Sequence, residues 1–207
     1  MVKIDLAYLI NEHLKKRKLK KKNPRNYFYI SEAGKTPLQI FKELTIQQEY
    51  PPKIKRLMEI GKATHQRVYK CLLKMGFLKA SEVKVGDDLF HGYVDAVIKL
   101  PGEDEMPLEI KTIRREEFDN ILNKGKPTWQ SYIQLQLYLH YLNKERGRIL
   151  FIEANTLGDY IMPLEEYRQE QKIKEFQVRK NTKVISETII KFKKLKDVFV
   201  NEGVMIR

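Results

Sequence analysis

Cysteine is almost missing from this chain: Cys71 is the only one in 207 residues. A single thiol cannot build a disulfide framework, a four-cysteine zinc site or a protein-only iron–sulfur site. No apolar run approaches the ~20 residues of a bilayer-spanning helix. The apolar stretch at residues 1–16 is interrupted by Asp5, Asn11 and Glu12, a poor pattern for a secretory signal. The expectation is a soluble, cytoplasmic protein. Several motifs are missing too. There is no G-x-S-x-G elbow, no zinc-finger spacing and no Rossmann glycine pattern, and the GKAT at residues 61–64 lacks the preceding glycine of a phosphate-binding loop.

What is present is enough for a folded core: 42% of residues are hydrophobic and 10% aromatic, which excludes low-complexity disorder. The length suits one domain with extensions. Acidic charge is the scarcer sign, and the net charge is +13. Its distribution is uneven. Residues 15–25, KKRKLKKKNPR, carry eight basic side chains and no acidic one, and residues 172–207 carry a surplus of six. Residues 26–171 hold 21 of each sign. Positive flanks around a neutral middle attract polyanions, nucleic acid first among them. The plainer alternative is a pair of solvated lysine-rich faces.

Apolar spacing predicts a helix over residues 3–22, broken at Asn23-Pro24. The aromatic segment Tyr27-Phe28-Tyr29-Ile30 follows, with Ser31 as a candidate cap, and then a short helix over 37–44. Residues 53–75 read as an amphipathic helix with Ile54, Leu57, Met58, Val68, Leu72 and Met75 on one stripe, stopped by Gly76. Strands are expected at 77–85, 89–100 and 107–113, a second helix at 127–142 opening on Pro127, and short strands at 148–153 and 160–162. Residues 164–200 read as one long helix. The expected class is α/β, with an αβββαβ core and added helices at both ends. Residues 1–52 form a basic helical extension, 53–163 the core and 164–207 a long basic helical region of a single domain.

The second and third expected strands carry the sharpest chemical signal. Strand alternation puts Asp95 on a face with Tyr93 and Val97, and puts Glu109 and Lys111 together on one face of the next strand. A turn centred between Gly102 and Glu103 sets Asp95 opposite residue 110 or its neighbours, and a small register adjustment brings it beside Glu109 and Lys111. Two carboxylates are hard oxygen ligands for magnesium or manganese, and a neighbouring lysine can orient water or offset phosphate charge. Read plainly, the same residues are surface ion pairs on a polar hairpin. His65 shares its helical face with Leu57, Met58, Val68 and Leu72. A lone histidine there is a packed residue or a metal ligand, and Gly61 one turn earlier permits close approach. Glu82 shares a face with Lys84 and is either a further carboxylate of the site or an ordinary exposed glutamate. Gln130, Gln134 and Tyr138 recur at helical spacing as a polar stripe, able to contact phosphate or to position a lysine. His13, His91 and His140 have no partner pattern and read as structural.

Taken in order, Gly61…His65, Glu82, Gly92-x-x-Asp95, Glu109-x-Lys111 and Gln134-x-x-x-Tyr138 resemble the PD-(D/E)XK nuclease superfamily, and within it the RecB-like exonucleases. The resemblance spans residues 61–138 and implies a restriction-endonuclease-like core of mixed sheet flanked by helices. It implies that His65, Asp95 and Glu109 bind one or two divalent metals, magnesium or manganese. The Ile110 carbonyl would be a further ligand, assisted by Glu82. Lys111 would position and activate the attacking water, and Gln134 and Tyr138 would support Lys111 or the scissile phosphate. The implied reaction is metal-dependent hydrolysis of a DNA phosphodiester, with exonuclease and endonuclease action both open. Many RecB-like nucleases staple their chain ends with a four-cysteine iron–sulfur cluster. Here Thr36 stands where the first of those cysteines would fall, so the chain resembles a branch without the cluster.

The implied partner is DNA. Tyr27 and Phe28, directly after the basic run Lys15, Lys16, Arg17, Lys18, Lys20, Lys21 and Lys22, favour a single-stranded form if they stack on bases, and belong to the core if they do not. Single-strand-binding or annealing proteins and a helicase would be separate partners, and a homo-oligomer is compatible with the chain. No membrane contact is implied. Small, lysine-rich, free-standing members are similar to enzymes of bacteriophages and archaeal viruses, which would work in the host cytoplasm on recombination, repair or viral replication. The competing class is a non-catalytic single-strand-binding or recombination subunit that keeps the fold.

Overall fold

In Phe90–Ile98, buried Phe90, Gly92 and Val94 alternate with more exposed His91, Tyr93 and Asp95, the two-residue period of a strand with one face on a core. That strand organises the sheet. The computed structural model describes residues 25–46, 50, 52–154 and 172–205. The basic run at 15–22, the expected helix at 3–22 and the expected strand at 160–162 lie outside the described residues.

The six strands among the described residues are ordered β1-β3-β4-β5-β6, with β2 on the other edge of β3. They are β1 (Phe28–Tyr29), β2 (Leu78–Gly86), β3 (Phe90–Ile98), β4 (Met106–Ile113), β5 (Arg146–Glu153) and β6 (Ile173–Arg179). β1 runs parallel to the start of β3, β2 and β4 run antiparallel to it, β4 and β5 are parallel, and β6 closes antiparallel to β5. Among the described residues, five helices accompany them: α1 (Pro37–Thr45), α2 (Pro52–Lys74), α3 (Arg115–Lys124), α4 (Trp129–Tyr141) and α5 (Thr182–Asn201). The mixed sheet flanked by helices is the expected α/β class.

Alternation along β5 divides the core. Ile149 and Phe151 join the larger cluster with α1, α3, α4 and α5, whereas Leu150 and Ile152 join Val68, Tyr69 and Leu72 of α2. α2 therefore covers one face of the sheet and the other helices cover the opposite one. Phe28, Phe90, Phe192 and Phe199 are all fully buried in the larger cluster, with Phe28 edge-on to Phe192 at a centroid distance of 4.9 Å.

Residues 164–200 are not one helix. Ile173–Arg179 pairs residue by residue with β5, and only from Thr182 does a helix begin, where Asn181 Oδ1 accepts the Val184 amide at 3.1 Å. Ile173 and Phe176 have helical spacing, but Phe176 and Val178 have strand spacing. The free edge of β5 decides between them, and Phe176 packs edge-on against Phe151. α3 was not expected. It buries only Phe118 and Ile121, too few for a clear stripe, although Glu116 and Glu117 at its start and left-handed Gly125 at its end are proper terminal signals.

α4 starts at Trp129 with Thr128 as its cap, rather than at Pro127. In α2 the buried positions are Ile60, Thr64 and Tyr69, whereas Met58 and Met75 of the expected stripe are about half exposed. Ser31 is no cap; it lies within a 3-10 turn, Ile30–Glu32, where the Glu32 carboxylate accepts the Tyr29 amide at 2.8 Å.

Candidate active site

β3 has different neighbours along one edge. β1 pairs with it at Phe90 and His91, and β4 pairs with it only at Ala96, Val97 and Ile98. Between these contacts the edge is open, and the candidate chemistry collects there. The pairs Ala96↔Leu108 and Ile98↔Met106 centre the turn on Gly102, one step from the expected centre, and continuing that register sets Asp95 opposite Glu109. The ladder stops short of them. Instead Asp95 Oδ2 accepts the Ile110 amide at 2.7 Å, a side chain taking the place of a strand carbonyl.

Glu109 is 1% exposed. Its Oε1 lies 2.6 Å from Lys111 Nζ, while Oε2 is buried with no hydrogen-bond partner. Lys111 Nζ also donates to Gln134 Oε1 at 3.0 Å, Gln134 Nε2 donates to Tyr138 Oη at 3.0 Å, and Tyr138 Oη donates to the Tyr93 carbonyl at 2.7 Å. The order of this relay follows from its far end. Because Tyr138 gives its proton to a carbonyl, it can only accept from the Gln134 amide, and the Gln134 carbonyl is left facing Lys111.

α2 supplies His65, whose Nδ1 stands 3.6 Å from Asp95 Oδ1. Burial lowers the His65 pKa, partly offset by the Glu109 charge and by a hydrogen bond with the Ile110 backbone, so the ring is held neutral. Burial raises Asp95 to about 6 and Glu109 to about 7. Burial alone would lower Lys111, but the Glu109 carboxylate outweighs it and the net shift is upward. The centre thus holds two acids that resist ionisation, one neutral imidazole and one protonated amine.

Glu82 is exposed, and the flanking pairs Ser81↔Ala96 and Val83↔Val94 set it across β2 from Asp95. Its φ of 52° is the left-handed region, an uncommon conformation for a non-glycine residue inside a strand. Among the described residues, no three His, Cys, Asp or Glu side chains close around one point tightly enough to enclose an ion by themselves. Gly61 has open space where a Cβ would project; Gly92 does not, because Ile30 packs 3.0 Å from that position. Gln130 turns away from the relay and donates to the Ser31 carbonyl at 3.2 Å.

Burial decides between the two readings of Phe28, and one further residue joins the site. Phe28 is fully buried among Phe90, Phe192 and Phe199, so its ring serves the core and cannot stack on a base. Tyr69 was overlooked. It lies one turn after His65 with ring centroids 6.2 Å apart, and burial followed by the Asp95 charge pushes its phenol pKa up. The H-x-x-x-Y spacing was its only signal in the sequence.

No family model matches the chain. Over 177 residues it is 28% identical to the CRISPR-associated exonuclease Cas4 of Saccharolobus solfataricus, covering 76% of this chain and 82% of that protein. Its fold is similar to that of an alkaline exonuclease from Laribacter hongkongensis, with a TM-score of 0.57 at 11% identity over 86% of this chain and 89% of that one. It is also similar to a phage-related exonuclease from Haemophilus somnus, with a TM-score of 0.54 at 14% identity over 89% and 97%. The chain is thus similar in sequence to a CRISPR-associated exonuclease and shares its fold with two further exonucleases.

Proposed function

We propose that the protein is a metal-dependent DNA nuclease that hydrolyses phosphodiester bonds, with single-stranded DNA its preferred form. The observation that carries this reading is Glu109 Oε2, a buried carboxylate oxygen without a partner, next to Asp95. Buried polar atoms are nearly always satisfied, and two adjacent acids with raised pKa values form a site that a cation would relieve. The donors fit magnesium or manganese: carboxylate oxygens, a neutral imidazole and a backbone carbonyl. Magnesium commonly keeps several of its waters and uses only one or two carboxylates, which suits the pair Asp95 and Glu109.

His65, Asp95, Glu109 and the Ile110 carbonyl would hold the ion, with Glu82 reaching it from β2. When bound, the ion would polarise the phosphate and make a water easier to deprotonate. Lys111, kept protonated by Glu109, presents a fixed N–H donor and positive charge where negative charge grows on the phosphate. Gln134 and Tyr138 lock that ammonium in place through the relay to the Tyr93 carbonyl. Asp95, bound to the Ile110 amide, is held still by the backbone of the strand that carries the other acid. The basic residues Lys15 to Lys22 would hold the DNA backbone through counterion release. The relatives named exonucleases support a DNA substrate, and the Laribacter enzyme has been solved in complex with dAMP.

The test incubates labelled linear and circular DNA, single- and double-stranded, with magnesium, manganese or chelator. Cleavage should need a metal and should be lost in Asp95→Ala and Lys111→Ala. Cleavage that persists in both variants would sink this site. Attack on circular substrate would mark endonuclease action, and attack on linear substrate alone would mark an exonuclease.

A further inference from the structure

α2 covers its face of the sheet unevenly. It packs over Ala96, Ile98, Met106, Leu108, Ile110 and Ile152, the half of the sheet beyond Asp95. On β1, β2 and the first half of β3, Phe28, Phe90 and Val94 turn into the opposite core, and polar rings and cations are left facing solvent. His91, Tyr93 and Asp95 alternate with the buried Phe90, Gly92 and Val94 and so share a face, about 7 Å from one to the next. Their cross-strand partners share it with them: Tyr29 pairs with His91 and Lys84 with Tyr93. Tyr93 is 58% exposed and Tyr29 45%.

The surface is built rather than loose. Tyr27 stacks on the His91 ring at 3.9 Å between centroids, with the planes 21° apart. The Arg25 guanidinium lies 4.2 Å from the centre of the Tyr29 ring, and the buried Glu32 carboxylate fixes it there by an ion pair. Arg25 is also where the chain arrives from the basic run.

We propose that this face, formed by Tyr29, His91, Tyr93 and Lys84 with Arg25 and Tyr27, is a stacking track for a single-stranded polynucleotide that ends at Asp95. It rests on the nuclease reading only for what happens at that end. The exposed side chains are aromatic rings with polar atoms and cations, rather than the aliphatic patch that a protein partner would bury. Rings that present a π-face suit unpaired bases of any sequence, and Arg25 and Lys84 suit the phosphates between them. A duplex hides its base faces in the stack and has little to offer these rings. The row runs along one strand into the candidate reaction centre, so a chain lying on it would bring its backbone to Asp95.

The experiment measures binding of a fluorescently labelled oligonucleotide by anisotropy in chelator, where no hydrolysis occurs, with single-stranded and duplex forms in parallel. Tyr29→Ala and Tyr93→Ala should each weaken single-strand binding roughly five- to hundredfold. They should alter duplex binding little and leave the salt dependence of binding unchanged, whereas Tyr93→Phe should retain affinity. Lys84→Ala should flatten the salt dependence. Far-ultraviolet circular dichroism and thermal melts confirm that the variants fold. Parental affinity in both alanine variants would overturn the track, as would equal losses for single strand and duplex. The two readings fail separately. Weakened binding in the variants of a protein that never cleaves would keep the track and end the nuclease reading. Normal binding by the alanine variants of a protein that cleaves with metal would do the reverse.

Discussion

Asp95 and Ile110 are joined by a carboxylate-to-amide hydrogen bond of 2.7 Å at the point where β3 and β4 stop pairing. The bond ties the two strands together while letting them separate, and the separation leaves room for Glu109, Lys111 and the relay from α4. A regular ladder here would have filled the same space with backbone.

If the protein hydrolyses DNA as proposed, Lys111 should be a sensitive position for turnover. Lys111→Ala should lower single-turnover hydrolysis by about 10²–10³-fold, the usual loss when one preorganised donor is removed. Lys111→Arg should not restore it, because a planar guanidinium cannot replace a compact ammonium between Glu109 and Gln134. Gel analysis with metal in excess reads both. Recovery of parental rates in the arginine variant would remove Lys111 from this role.

Stability of the metal-free protein should fall as pH rises. Asp95 and Glu109, raised to about 6 and about 7, hold protons in the folded chain that the unfolded chain has already released. The folded state therefore binds more protons between the usual carboxylate range and about pH 7, and in that window raising the pH costs stability. Thermal melts in chelator should show their contribution as a smaller pH dependence in Glu109→Gln than in the parent. Magnesium or manganese should restore stability at the alkaline end.

Gln136 tests architecture without chemistry. It is 1% exposed, its Nε2 donates to the Arg179 carbonyl at 2.8 Å and its Oε1 accepts the Asn181 amide at 2.7 Å. Gln136→Ala leaves backbone groups of the β6–α5 turn without their partner and should cost about 1–3 kcal/mol in urea unfolding. Activity per folded molecule should stay near the parent value. An unchanged midpoint would mean that water replaces the amide.

The basic run needs a different measurement. Replacing Lys15, Lys16, Lys18, Lys20, Lys21 and Lys22 with glutamine should weaken DNA binding and flatten its salt dependence while leaving the metal requirement of cleavage intact. Titrations from about 50 to about 200 mM salt read the slope, and an unaltered slope would free the run from this role.

The sequence reveals most where a local rule and the tertiary structure agree. Strand alternation put Glu109 and Lys111 on one face, helical spacing put Gln134 beside Tyr138, and the hairpin register was one step from the observed pairing. Ile173–Arg179 was illegible because its side chains fit either period and the choice belongs to β5. Phe28 was ambiguous for a similar reason. An aromatic after a lysine run looks the same whether it meets a base or, as here, Phe192 across the core. The order of the Gln134 relay could not be read at all, since it depends on a carbonyl of β3 that no side-chain pattern reports.

Phe28 and Phe192 have one more consequence. Around them Phe41, Phe90 and Phe199 form an aromatic clasp between the start of the described chain and its last helix. Phe192→Ala should cost about 3–5 kcal/mol in the same urea experiment, as for other buried phenylalanines. A join made of hydrocarbon does not respond to oxygen, to the supply of iron or to chelating agents. Removing an ion bound beside Asp95 and Glu109 should therefore leave this clasp intact, and melts in chelator would separate lost chemistry from unfolding.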